Sequence, residues 1–302
     1  MNRTTECTSH CTLKRAGLMF FVITNFVLAV PTAAANALVI VAILTTSSLR
    51  TPSYLLLTNL AFSDLGVGLF CQPGSAVLMI MKLFENLELS IDLLASVNVV
   101  SSLLSYVSVM TITAISVDRY LAIRLKMRYR SVVTLRRVKL FLVFSWVATF
   151  VVFFFAVFHV HFIVVISAVA ATVCLVVIVV SYTMSFRALK IHCAKTQPQG
   201  NQQPNGSTQS NVIDVHKYEK LVKTMLLIVV LIIVCYLPVL GIISILLHPD
   251  SFDRDYMIWG LMSIVFVNST LNPVIYLTRM KDIREACVQI LRKSFRCKDG
   301  QN

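Results

Sequence analysis

Asp64 is the one acid well inside a long apolar stretch that runs from about Tyr54 to Met81. An ionisable group in such surroundings is costly and survives only where it is paired or used. Two readings stand. Asp64 is a structural polar residue satisfied by neighbouring helices, or it is a cation or proton site inside a bundle. A hard cation such as Na⁺ takes several oxygen ligands, and other apolar stretches carry groups to supply them: Ser108, Asn268, Ser269 and Asn272. A second pattern is the set Asn98, Ser101, Ser102, Ser105 and Ser108, spaced to form one polar stripe on an otherwise apolar helix. Small Ser residues allow close helix packing. The same stripe also suits the lining of a solvent-filled pocket.

Other chemistry is not expected. No nucleophile–base set and no Gly-rich phosphate loop occurs, so the chain does not read as an enzyme. The 8 cysteines, Cys7, Cys11, Cys71, Cys174, Cys193, Cys235, Cys287 and Cys297, have no metal-ligand spacing. His159 and His161 read as turn residues rather than metal ligands. No cofactor is expected beyond a sodium ion in the bundle.

The elements that must position these groups follow from composition. Of 302 residues, 57% are hydrophobic and only 14% charged, with a mean hydropathy of +0.79. Soluble domains carry about 25% charged residues, so an ordinary soluble enzyme is excluded and membrane spans are indicated. A spanning helix needs about 20 apolar residues. Charge-free runs place span one between Arg15 and Arg50, span two from about Tyr54 to Met81, and span three between Asp92 and Asp118. Leu140 to Phe186 is a run of 47 residues without a charge. As a single helix it would reach about 70 Å, so it must fold back, and a short outer turn at His159 and His161 divides it into spans four and five. Span six lies between Lys223 and Asp250, and span seven between Asp255 and Arg279. No cleavable signal peptide is expected, because the first apolar run is too long and lacks a small-residue cleavage site.

Seven spans put the termini on opposite faces. With the N-terminus outside, the outer segments hold 5 of the 27 Lys and Arg residues (Arg3, Lys14, Arg15, Lys82 and Arg254) and the cytosolic ends hold the other 22. That asymmetry sets the N-terminus outside and the C-terminus in the cytosol. The net charge of +13 is thus a property of a membrane-facing rim, not of a nucleic-acid binder. The expected organisation is an outer tail over residues 1–16, a seven-span domain over 17–279, and an amphipathic helix with a cytosolic tail over 280–302. A low-complexity cytosolic loop rich in Gln, Asn, Gly and Pro is expected at about 194–214. Ile283, Ala286, Cys287, Ile290 and Leu291 repeat at helical spacing and predict a helix lying on the inner leaflet. Pro31, Pro73, Pro238 and Pro273 fall inside spans, where each removes a backbone hydrogen bond and can form a hinge.

Motifs stand in order along these spans: Asp118-Arg119-Tyr120 at the end of span three, Cys235-Tyr236-Leu237-Pro238 in span six and Asn272-Pro273-Val274-Ile275-Tyr276 at the end of span seven, with Asn36, the run Leu60-Ala61-Phe62-Ser63-Asp64, and Trp146. The set resembles the DRY, CWxP (with Tyr for Trp) and NPxxY motifs of the rhodopsin-like (class A) G-protein-coupled receptors. The resemblance implies an all-α membrane protein, a seven-helix bundle with a short amphipathic eighth helix, working as a plasma-membrane signal transducer. It implies that Asp118 holds Arg119 in the resting state and that activation frees Arg119 for a heterotrimeric G protein. Tyr182 and Tyr276 would swing inward to hold the active state, with Tyr236 and Pro238 in the switch. Asp64, Ser108, Asn268 and Asn272 would form a sodium pocket that favours the resting state.

Departures from the family pattern bear on the ligand. Leu94 stands where the family has the Cys that bonds to the second outer loop, and Cys174 replaces the usual Pro of span five. The resemblance is nearest to the melanocortin, adenosine, cannabinoid and lysophospholipid receptors. Ser101 stands where an amine receptor has Asp, Phe266 where an opsin has its retinal Lys, and Ile243 where adenosine receptors have Asn. Gly74, Leu94 and Asn98 stand where melanocortin receptors hold calcium with acids. None of these four ligand classes is therefore assigned. The expected ligand pocket is lined by Asn98, Ser101, Ser102, Ser105, Tyr236 and Phe266, for an extracellular ligand of unassigned class. Expected partners are the G protein and membrane lipid. Asn2 is a glycosylation acceptor, Cys7 and Cys11 face an oxidising side and could pair, and Cys287 and Cys297 are candidates for palmitoylation. The alternative reading is an ion-coupled transporter or channel with Asp64 as its ion site. It needs a polar path through the inner half of span three, where Val109 to Val117 offers only Thr111, Thr113 and Ser116.

Overall fold

A computed structural model describes residues 2–84, 87–156, 160–196, 241, 245 and 254–299. Among them there is no strand. Helix α1 spans Asn2–Thr45, α2 Pro52–Gly66, α3 Gln72–Leu83, α4 Leu87–Leu125, α5 Tyr129–Val132, α6 Leu135–Ala156, α7 Val160–Thr196, α8 Arg254–Arg279 and α9 Lys281–Asp299. A wide π turn over Val67–Cys71 joins α2 to α3, so the two form one continuous rod.

Six helical segments among the described residues are long and apolar enough to cross a membrane: Arg15–Thr45, Pro52–Leu83, Asp92–Val132, Leu135–Phe155, Val169–Ala188 and Met257–Arg279. They are the expected spans one to five and seven. Apart from Gly241 and Ile245, the expected span six, with Tyr236 and Pro238, lies outside the described residues, as does nearly all of the low-complexity loop. Helix α6 ends at Ala156 and α7 begins at Val160, so His161 stands in α7 rather than in the expected turn, and His159 lies outside the described residues.

The packing is inverted relative to a water-soluble protein. Phe144 and Phe154 on α6 are each 65% exposed, and Val143, Val147, Phe150 and Val151 share that outer surface. Asn25, Thr32, Asn36, Asp64 and Gln72 are buried instead. A lipid-facing exterior needs no polar cover, and every polar group must find a partner inside the bundle. Hence the interior carries hydrogen-bonded rungs between helices. Asn25 donates to Ser263 at 2.9 Å, Thr32 and Thr270 share a bond of 2.6 Å, and Asn36 donates to the Ser269 carbonyl at 3.1 Å. These rungs fix α1 against α8. Trp146 donates to Asn59 at 3.0 Å and Asn59 to Thr111 at 2.8 Å, joining α6, α2 and α4.

Local chemistry sets the boundaries. Thr51 caps α2 through the Tyr54 amide, with Pro52 in the first turn where it costs no hydrogen bond. Pro73 has no amide proton to return to the chain behind it, and the π turn stands directly before it. Gly68 sits in that turn because α1 passes very close. A Cβ there would lie 2.7 Å from the Ala33 amide nitrogen and 3.1 Å from the Ala29 carbonyl oxygen.

The stretch expected as the outer tail, 1–16, is helical from Asn2 and continuous with span one; no Pro or Gly interrupts the sequence before Gly17. The terminal amphipathic helix is present as α9, but part of its apolar face packs on protein rather than lipid. Ile283, Ala286 and Cys287 are buried against Val39, Ala42 and Ile43 of α1 and Leu57 and Leu60 of α2. Leu291 remains exposed.

Candidate functional site

Asp64 ends the buried face of α2 and is fully enclosed. Asn272 of α8 donates to its Oδ2 at 2.7 Å, and the Ser269 hydroxyl faces the same carboxylate. Its Oδ1 has no hydrogen-bond partner among the described residues. Ser108 reaches this centre through Ser63, whose hydroxyl lies 2.8 Å away. Asn268 is half-buried one turn from Asn272. The structure thus joins Asp64 to Asn272 directly and brings Ser108 up beside it, with Ser269 as a further oxygen. A buried carboxylate with one unfilled oxygen, beside the Ser269 hydroxyl and the Asn272 amide, fits a small monovalent cation.

The second centre is at the end of α4. Asp118 is buried, and Tyr129 donates to its Oδ1 at 2.6 Å while Ser53 donates to its Oδ2 at 2.7 Å. Ser53 and Tyr129 are themselves 3.1 Å apart. Arg119 Nε is 4.0 Å from Asp118 Oδ2, and its side chain is 42% exposed. The chain reaches this arrangement by a reversal at Lys126, which takes φ 44°, an uncommon conformation for a residue with a Cβ. The reversal sets Tyr129, eleven residues after Asp118 in sequence, beneath the carboxylate. Ser53 and Tyr129 carried no signal in the sequence, since a Ser and a Tyr in a polar rim are ordinary. Tyr120 is half-buried alongside.

Tyr182 and Tyr276 are both buried below the surface of the bundle. Tyr182 packs with Ala171, Cys174 and Ile178 against Val109, Met110 and Ile112 of α4. The Tyr276 hydroxyl has no partner among the described residues. Pro273 lies inside α8 without ending it.

The expected ligand pocket is only partly assembled by the described residues. Ser101 and Phe266 are buried. Ser101 faces Cys71, and Phe266 packs with Val67 and Cys71 against Leu104 and Met262. Ser102 and Ser105 are half-buried, whereas Asn98 is exposed. The polar stripe therefore turns inward at Ser101 and Ser108 and does not run whole to Asn98. Tyr236 lies outside the described residues.

Of the modification candidates, Cys287 is enclosed between α9 and α1, and burial pushes its thiol up from the ordinary value. That placement suits a packing residue rather than an acylated one. Asn2 and Cys297 fall on α1 and α9, with their side chains outside the described residues.

A transporter would need polar groups free to pass an ion along α4. The hydroxyls of Thr111, Thr113 and Ser116 donate instead to the carbonyls of Val107, Val109 and Ile112 at 2.6, 2.8 and 2.8 Å. Each hydroxyl proton is thus used within α4, and Thr111 also accepts from Asn59 of α2.

Comparison with known proteins agrees with this geometry. The model of the 7 transmembrane receptor (rhodopsin family) matches residues 35–162 and 155–276. Adenosine receptor A3 of Ovis aries is 25% identical over 294 residues, covering 88% of each chain. Adenosine receptor A2b of Canis lupus familiaris is 35% identical over 130 residues, 43% of this chain and 38% of the relative. A probable G-protein coupled receptor, No9, of Amphibalanus amphitrite is 36% identical over 123 residues, 40% of this chain and 25% of the relative. With the motif pairs in contact and the profile covering most of its length, the chain belongs to the seven-transmembrane receptors of the rhodopsin family, the class A G-protein-coupled receptors, near their adenosine-receptor group.

Proposed function

We propose that this receptor sits in the plasma membrane with its N-terminus outside and passes an extracellular ligand signal to a heterotrimeric G protein. The observation that carries the reading is the Asp118 carboxylate, gripped by Ser53 and Tyr129 with the Arg119 guanidinium beside it. A carboxylate and a guanidinium at a helix end make a latch with two arrangements. In one, Arg119 rests against Asp118. In the other, it is released toward the G protein. A ligand acts by binding the released form better, since equal affinity for both shifts nothing. The basic rim at the Arg119 end suits anionic lipid and an acidic partner surface.

Asp64 is the second control point. The unpartnered Asp64 Oδ1, with Asn272 and Ser269 at the carboxylate, supports a bound sodium ion, for which Ser108 and Asn268 are the further proposed ligands. A cation there holds α2, α4 and α8 together and favours the resting arrangement. The ligand is a small molecule, a lipid or a peptide. Asn2 is proposed as a glycosylation site, and Cys297 as the palmitoylated cysteine of the cytosolic tail.

The test is a G-protein dissociation assay in cells expressing the receptor, run with lipids, peptides, nucleosides and amines. Arg119→Ala abolishes the response while surface expression persists. A response that survives the substitution at equal expression overturns the latch.

A further inference from the structure

Val22 of α1 and Ala76 and Met79 of α3 form one buried cluster, and Trp259 of α8 packs against it. Asn25 lies one helical turn beyond Val22, and Ser263 one turn beyond Trp259. Gln72 lies one turn before Ala76. Because α3 runs opposite to α1 and α8, all three steps lead the same way, from the cluster toward Asp64. Three polar side chains therefore stand at one level of the bundle, all of them buried: Asn25 2% exposed, Ser263 4% and Gln72 0%.

Their hydrogen bonds do not close. Asn25 Nδ2 uses its two hydrogens on the Phe21 carbonyl and the Ser263 hydroxyl, each at 2.9 Å. Ser263 donates to the Trp259 carbonyl at 2.9 Å. Beyond these bonds the pair presents the Asn25 Oδ1 and a lone pair of Ser263 as acceptor atoms. Gln72 brings two N–H donors and a carbonyl oxygen, and neither Nε2 nor Oε1 has a partner among the described residues. Inside a membrane protein an amide left in that condition is costly. The preceding π turn adds one residue to the helical register and so sets the face on which Gln72 enters the bundle.

We propose that Gln72, Asn25 and Ser263 form an internal water-binding site that ties α1, α3 and α8 together. The bound water accepts from Gln72 Nε2 and donates to Asn25 Oδ1 and Ser263 Oγ. Such a site meets the two-to-four-partner requirement of a buried water. It is neutral, as no acid or base belongs to it, so it selects a hydrogen-bonding molecule and not an ion. It extends the direct α1–α8 rungs into a three-helix joint above the Asp64 centre.

Two measurements on the full-length receptor test it. An experimental map fine enough to show ordered solvent is expected to show a water within hydrogen-bond distance of the Gln72 amide and of Asn25 or Ser263. A map in which that amide bonds only to protein atoms overturns the site. Thermal melting of purified Gln72→Met, Asn25→Leu and the double variant supplies the second reading. A shared water predicts that each single change lowers the melting temperature by several degrees and that the double change costs less than the two together. Without a site, removing an unpartnered amide raises the melting temperature of Gln72→Met. A rise, or strict additivity, overturns the proposal. Where Asn25→Leu yields no folded receptor, Ser263→Ala replaces it in the same cycle.

Discussion

Tyr129 and Asp118 are joined by a hydrogen bond of 2.6 Å, much shorter than the 4.0 Å between Arg119 Nε and the same carboxylate. The closer partner of the latch acid is therefore a phenol from the turn after α4, not the neighbouring guanidinium. Tyr129 and Ser53 together fix where the carboxylate points. Arg119 is then drawn to an acid that is already positioned, while its own half-exposed head stays ready to leave.

Tyr129→Phe keeps the ring and removes the donor. A hydrogen bond to a charged group contributes about 1.5–3 kcal/mol when buried, and Tyr129 is only half-buried. The expected outcome is a rise of about three- to tenfold in ligand-independent G-protein activation, at unchanged surface expression. Basal activity equal to the parent receptor would show that Tyr129 does not restrain the latch. Ser53→Ala is expected to act in the same direction and more weakly, because Tyr129 still holds the other oxygen.

Asp64→Asn removes the charge and retains the shape. In the parent receptor, basal signalling is expected to fall as sodium replaces N-methylglucamine in the medium. In Asp64→Asn it is expected to be flat. An equal sodium response in both receptors rules out this carboxylate as the cation ligand. Asn272→Ala provides a control of different sense. It leaves the Asp64 carboxylate without its 2.7 Å donor, so a loss of thermal stability is expected together with a retained, altered sodium response.

The contrast between these two centres explains what the sequence could reveal. In an apolar run every polar residue stands out against its background, so Asp64 and Asn272 were legible, and they prove to be in contact. Ser53 and Tyr129 lie in polar, basic stretches where their types carry no information. Tyr129 becomes important only because the chain reverses at Lys126 with a positive φ, a choice that Lys does not announce. Pro73 was readable as a perturbation of its span. That the perturbation is a π turn, and so decides which face Gln72 presents, is a matter of backbone register that residue types do not encode. Asn25 and Thr32 were not singled out in the sequence, because their partners Ser263 and Thr270 lie 238 positions away. Helix α1 runs on through residue 16, because a polar segment without Gly or Pro can continue a helix as well as end it.

Gly68 is a point where α1 passes close to the rod formed by α2 and α3. In Gly68→Ala the new Cβ would meet backbone atoms at Ala33 and Ala29, which cannot swing aside as a flexible side chain would. Overpacking of this kind costs about 1–3 kcal/mol. The expected result is a lower melting temperature for the purified receptor and reduced surface expression. Gly66→Ala is the matched comparison, since its Cβ would meet the mobile end of the Leu104 side chain at 2.8 Å. It is expected to be the milder of the two; equal losses would place the strain outside the α1 contact.

Cys287 and Cys297 are expected to differ in reactivity despite lying on the same helix. Cys287 is sealed against α1 by Val39, Ala42 and Ile283, and its thiol is held protonated above the usual range by burial. Thiolate is the reactive form, so both access and ionisation disfavour it. Acyl-exchange labelling of membranes is expected to lose its signal in Cys297→Ser and to keep it in Cys287→Ser. Alkylation by a maleimide at neutral pH is expected to leave Cys287 intact until the receptor is unfolded. An acyl group found on Cys287 would mean that α9 lifts from α1 in the membrane, exposing a face that includes Ile283 and Ala286 as well.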